Sequence, residues 1–135
     1  TLGKAEVYWE AERAKAGIIA TGALLHKALL AAKALDEEGI KVEVMNLATI
    51  KPLDEEGVVE FAKRNKRIVT VEEHQIRGGM GSAVAECLAK HYPVPIEFIG
   101  VDDQFGQSGT PEELIEHYGM GTDAIIKAVK KIIKR

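Results

Sequence analysis

The sequence predicts an α/β domain, a largely parallel sheet with helices on its faces. Short runs rich in Ile and Val, "AGIIAT", "VEVMNL", "RIVTVEE" and "PIEFIGV", are each followed by a longer segment with helical spacing. Repeated strand-helix units of this kind build parallel sheets. The chain has 135 residues, 46% hydrophobic and 29% charged, which suits one domain over residues 1–135 with a substantial core of its own.

The first strand is the exception to the parallel pattern. Lys4 to Trp9 alternates enough to be extended, and its link to Ala16 is too short for a parallel crossover, which takes about a dozen residues. It is therefore expected to run antiparallel to the strand that begins at Ala16. In the first helix Leu24, Leu25, Ala28, Leu29, Ala32 and Leu35 recur at helical intervals, and Gly39 is a left-handed cap at its end. Asp54 caps the second helix, with Pro52 just outside and Val58, Val59, Phe61 and Ala62 inward. The third starts near Gly81 and Ser82, buries Ala83, Val84, Cys87 and Leu88, and ends before Pro93-Val94-Pro95. Thr110, Pro111 and Glu113 form a capping box for a short helix that stops at Gly119. Thr122 is expected to cap the last helix, whose inward residues are Ile125, Ile126, Val129, Ile132 and Ile133. No internal repeat, low-complexity tract or linker interrupts this order.

Charge and cysteine usage narrow the function classes. The net charge of -3 arises from 18 basic and 21 acidic residues, so no positive field draws in nucleic acid. Cys87 is the only cysteine, which excludes an internal disulfide and suits a reducing compartment. No apolar run approaches the roughly 18 to 20 residues that span a bilayer, and the N-terminus lacks the basic and apolar regions of a signal peptide. A cytoplasmic protein with no membrane partner is expected.

Most candidates for chemistry have a plain structural reading. His26, His74, His91 and His117 lack the spacing of metal ligands, so no metal site is expected. His26 falls off the apolar face of its helix, while His91 and His117 sit in last turns, where an imidazole suits the helix dipole. Cys87 lies on a buried stripe away from a helix N-terminus and reads as a core thiol. The basic "KAVKKIIKR" is a solvated face whose cations favour a helix C-terminus. Glu72 and Glu73 are neighbours on a strand, so they point to opposite faces and cannot act as one acid-base pair unless the strand ends before Glu72.

The stretch after them is less easily dismissed. His74 and Arg77 follow the carboxyl end of a strand, where ligands bind in open parallel sheets. Gly78, Gly79 and Gly81 let the backbone approach another group closely, and amides at the start of the next helix can hold an anion. Their spacing is neither G-x-G-x-x-G nor that of a P-loop. Two uses stay open: a tight turn with close packing, which is favoured, and ligand binding.

Five segments in order carry a resemblance over nearly the whole chain: "LGKAEV", "IIATGALLHKAL", "VEVMNLATIKPLD", "VTVEEHQIRGGMGSAVAE" and "GVDDQFGQSGTPEELIEHYGMGTDAI". Together they resemble the C-terminal domain of transketolase and its superfamily, which includes 1-deoxyxylulose-5-phosphate synthase and the beta subunit of 2-oxoacid dehydrogenases. "TIKPLD" and "DQFGQSG" look most like transketolase, while "GTPEELIEHYGM" also suits the synthase. At "YWEAERAKAG" relatives often carry a tighter acidic-glycine turn, so a longer first hairpin is expected here.

The resemblance implies a three-layer α/β/α sandwich with a mixed five-stranded sheet, order 1-3-2-4-5, strand 1 antiparallel. It puts the topological switch point between Thr21-Gly22 and the loop from Glu73 to Ser82. It also implies a thiamine-diphosphate-dependent parent that moves two-carbon ketol units between sugar phosphates, with the cofactor as electron sink. Thiamine diphosphate and a divalent metal would lie between two preceding domains, and the metal-binding Gly-Asp-Gly signature is absent here. By that analogy this chain alone holds no cofactor, no metal and no catalytic residue. Its role would be packing against the pyrimidine-binding and diphosphate-binding domains of a homodimeric parent. His74, Arg77, Gly78, Gly79 and Ser82, with Thr21 and Gly22 opposite, are the expected contacts for a neighbouring domain or a small anion. The other open function is a free-standing anion- or nucleotide-binding module using the same cleft.

Overall fold

Five strands, β1 (Glu6–Trp9), β2 (Ala16–Ala20), β3 (Val42–Asn46), β4 (Ile68–Glu73) and β5 (Ile96–Val101), form one sheet in the order β1-β3-β2-β4-β5. The computed structural model describes residues 4–48, 52–73, 79–101 and 121–135. Helices α1 (Leu25–Glu37), α2 (Glu55–Asn65), α3 (Gly79–His91) and α4 (Thr122–Ile132) cover the sheet. β2 pairs in parallel with β3 and β4, and β4 with β5, whereas β1 runs antiparallel to β3. Sheet order and strand direction are those expected.

The sheet divides two apolar layers, because alternate residues of a strand face opposite ways. From β2, Ile18 and Ala20 enter a cluster with Val69, Val71, Leu35, Ile125, Val129 and Ile132, on the side of α1 and α4. Ile19 enters the other, with Met45, Phe61, Ile68, Val84 and Leu88, on the side of α2 and α3. Being covered twice, β2 is buried at all five positions, which is why "AGIIA" reads as a continuous apolar run.

Helix ends follow local chemistry. α1 closes in a Schellman turn: the Ile40 amide donates to the Leu35 carbonyl at 2.9 Å, the Gly39 amide to Asp36 at 2.9 Å, and Gly39 takes φ 81°. The Asp54 carboxylate caps α2 by accepting from the Gly57 amide at 3.0 Å, and it also accepts from the Ala5 amide at 2.9 Å. α2 buries Val58, Phe61 and Ala62 as expected, but Val59 is only partly covered and Asn65 is buried instead.

Three expectations need correction. Gly121, not Thr122, is the N-cap of α4. The chain enters that helix at φ 88°, and a Cβ on Gly121 would sit 2.4 Å from Val101 Cγ1, so no Ser or Thr fits the capping position. The first two strands form no hairpin, since β3 lies between them. Their link is held instead by Glu43, a β3 carboxylate that is 5% exposed and accepts from Ala11 N, Arg64 Nε and Asn65 Nδ2 at 3.3, 3.1 and 3.0 Å. Finally, α3 begins at Gly79, ahead of the expected Gly81 and Ser82, and buries Met80 and Gly81, while Ala83 is only half-buried. The expected capping box at Thr110 and helix end at Gly119 lie outside the described residues. No helix among the described residues is long and apolar enough to cross a membrane.

Candidate interdomain site at the switch point

β2 is followed by α1 on one face of the sheet and β4 by α3 on the other, so the chain parts at the adjoining carboxyl ends of β2 and β4. Thr21 and Gly22 stand there. The Thr21 amide donates to the Val71 carbonyl at 3.3 Å, and the Thr21 carbonyl accepts from Leu24 at 2.8 Å, starting a single 3-10 turn over Gly22–Leu24. Gly22 is exposed and lies beside Asn46 at the end of β3, whose Oδ1 would be 3.9 Å from an added Cβ. Thr21 Oγ1 and Asn46 Oδ1 are buried with no hydrogen-bond partner among the described residues.

Alongside, β4 continues through Glu73, with Glu72 opposite Gly100 and Glu73 opposite Val101 of β5. The two carboxylates are therefore parted by the pleat, as their adjacency predicts. Glu72 is 2% exposed and points at the first turn of α3. Its Oε1 accepts from the Met80 amide at 3.1 Å and its Oε2 from the Gly81 amide at 3.0 Å. A buried carboxylate is tolerable only when paired or hydrogen-bonded, and helix amides with the positive end of the dipole meet that need.

The glycines divide by use. A Cβ on Gly81 would lie 2.8 Å from Glu72 Oε2, 3.0 Å from Phe98 Cδ1 and 3.3 Å from Thr70 Oγ1. Gly81 thus permits the close packing of α3 on β4 and β5. Gly79 is exposed, with none of the described residues within 4 Å of an added Cβ, and Ser82 is exposed too. Thr21 and Gly22 stand at the carboxyl end of β2, and Gly79 and Ser82 in the first turn of α3, which Glu72 of β4 meets. His74, Arg77 and Gly78 lie outside the described residues.

The role of Glu72 was not legible beforehand. Local sequence sets the carboxylate only beside Glu73, whereas its partners stand eight and nine residues on. The available signal was an acidic strand end followed by a helix start with no Ser, Thr, Asp or Asn to cap it. Buried Glu43 and the wholly buried Lys27 of α1 were missed too.

Cys87 is 2% exposed, with its thiol 4.0 Å from the Glu55 carbonyl. Burial pushes the thiol pKa up, the Glu55 charge adds to this, and Lys90 partly opposes it, so the group is a core thiol and a poor nucleophile. His91 is exposed in the last turn of α3, 4.0 Å from the Glu55 carboxylate. A surface hollow of about 670 Å³ beside it, lined by Glu55, Glu56, Val59, Glu60, Lys63 and His91, includes none of Thr21, Gly22, Gly79 and Ser82.

A family model described as "Transketolase, C-terminal domain" matches residues 3–125. The chain belongs to this family. The transketolase C-terminal domain seen here is 42% identical over 135 residues to a 6-deoxy-6-sulfo-D-fructose transketolase subunit of Clostridium sp. (strain MSTE9), covering 100% of this chain and 41% of that protein. It is 40% identical to a putative transketolase C-terminal section of Methanocaldococcus jannaschii, covering 99% and 41%, and 35% identical to transketolase of Homo sapiens, covering 99% and 22%. Among solved structures it is similar to a split-gene transketolase in an inactive beta4 tetramer, with a TM-score of 0.78, 44% identity, and coverage of 98% of this chain and 43% of that one. The transketolase C-terminal domain thus spans less than half the length of these relatives.

Proposed function

We propose that this chain is the C-terminal domain of a thiamine-diphosphate-dependent transketolase that moves a two-carbon ketol unit from a ketose phosphate to an aldose phosphate, and that the domain itself does no chemistry. The observation that carries this is the family match over residues 3–125, joined to a 42% identical relative that is itself a transketolase subunit. The domain packs through the carboxyl ends of β2 and β4 against the pyrimidine-binding and diphosphate-binding domains, in the same chain or a partner subunit. The contacts we assign there are Thr21, Gly22, Gly79 and Ser82, together with His74, Arg77 and Gly78. We place the assembled enzyme in the cytoplasm as a homodimer.

The described residues do not fit thiamine diphosphate and its divalent metal. The two α3 amides that would face a diphosphate donate to Glu72, and among the described residues no three His, Cys, Asp or Glu side chains converge. No step through the cofactor is therefore assigned to this chain.

The test is reconstitution. The 135-residue chain is mixed with a polypeptide carrying the two preceding domains, and ketol transfer from xylulose 5-phosphate to ribose 5-phosphate is followed with and without thiamine diphosphate and Mg²⁺. Activity is expected only in the mixture with cofactor. Calorimetric binding of thiamine diphosphate to this chain alone would overturn the assignment, and condensation of pyruvate with glyceraldehyde 3-phosphate by the mixture would reassign the parent to the synthase.

A further inference from the structure

Glu72 combines three observations that its neighbours lack. The carboxylate is 2% exposed, each of its oxygens accepts a different backbone amide, and the residue donating the second amide is a glycine whose Cβ would strike that oxygen at 2.8 Å. It stands where an anion stands at a helix N-terminus, on the partial positive charge of amides that have no partner within the helix. Charge-assisted hydrogen bonds of this kind are short, directional and stronger than neutral ones.

We propose that Glu72 is a positioning residue, an anion built into the chain that fixes the first turn of α3, so that exposed Gly79 and Ser82 meet the neighbouring domain in one arrangement. The part concerning the neighbour rests on the function proposed above. The fixing itself does not depend on it. With the carboxylate in place the Met80 and Gly81 amides take up no external anion, so phosphate leaves the wild-type chain unchanged.

Glu72→Ala and Glu72→Gln are made in the chain of 135 residues, and amide exchange at Met80 and Gly81 is followed by NMR. In Glu72→Ala both amides are expected to exchange about tenfold faster or more, the loss of a hydrogen bond to a charged acceptor. Formate in large excess restores protection and raises the Tm of this variant but not of the wild type. Affinity for the polypeptide carrying the preceding domains weakens about tenfold in parallel and recovers with formate. Where Glu72→Ala does not fold, Glu72→Gln carries the test: its single amide oxygen retains one acceptor, so one of the two amides stays protected. Asp54→Ala, which removes the cap of α2, must accelerate Met80 and Gly81 exchange far less than Glu72→Ala does. Unchanged exchange in the Glu72 variants, equal acceleration by Asp54→Ala, or unchanged partner affinity overturns the proposal. Failure of the wild-type chain to bind those domains overturns the assigned function instead.

Discussion

Thr70 carries a hydroxyl with no hydrogen-bond partner among the described residues, in a wholly buried position, on the same side of β4 as Glu72 and against Gly81. A buried polar atom left unpaired costs about 1–3 kcal/mol. Thr70→Val keeps the β-branched shape that a strand favours and removes that cost, so denaturant unfolding should show a gain of about 1 kcal/mol. A loss would mean that the hydroxyl is satisfied by an internal water. At this scale the sequence was readable wherever a side chain acts on its immediate neighbours. Asp54 reads as a cap because its partner is three residues ahead. Glu72, Glu43 and Gly121 act on or against groups supplied by another element, and no local pattern encodes that meeting. Thr122 is the better cap by residue type, yet crowding from Val101 decides for glycine.

Elements were legible where period and capping agree. α1 ends at its glycine stop as expected and buries Ala28, Ala32 and Leu35 of the expected stripe, but Leu25 and Leu29 are only partly covered and Lys27 and Ala31 are buried. The start of α3 lies ahead of the expected one because glycine is a poor helix former, and Glu72, remote in sequence, accepts from its first-turn amides. In α2 the cap can be tested directly. Asp54→Ala should cost about 1 kcal/mol in unfolding free energy, and the two chains should converge in acid. The reason is the sign of the shift: the Ala5 amide holds the Asp54 carboxyl below its ordinary value of 3.8, partial burial opposes it, and the Gly57 amide and Lys4 reinforce it. A lowered carboxyl pKa gives stability that is fully present above that ordinary value and disappears as pH falls through the folded one. Curves that stay parallel below pH 3.8 would assign the loss to something other than the charge.

For the molecule as a whole the sheet separates two cores, and they should behave independently. Ile125 lies in the cluster of α1 and α4, and Ile68 in that of α2 and α3. Ile125→Val and Ile68→Val should each cost about 0.5–1.5 kcal/mol, and the double variant should equal their sum within about 0.5 kcal/mol, as for sites that share no partner. A larger coupling, measured by a double-mutant cycle, would show that strain passes through the sheet. The α/β class and the direction of β1 followed from alternation and link length. The order of strands did not, because adjacency across a sheet leaves no trace in local spacing. That order came from the family resemblance, and with it the place of the switch point.

The Glu72 clamp also has a consequence for how the domain meets changing surroundings. A diffusing anion occupies a site in proportion to its supply, whereas a tethered carboxylate has an effective concentration set by the chain itself. The start of α3 therefore does not follow the level of phosphate or sugar phosphate in the cell. Whatever adjoins this end of the domain finds the same surface in scarcity and in plenty.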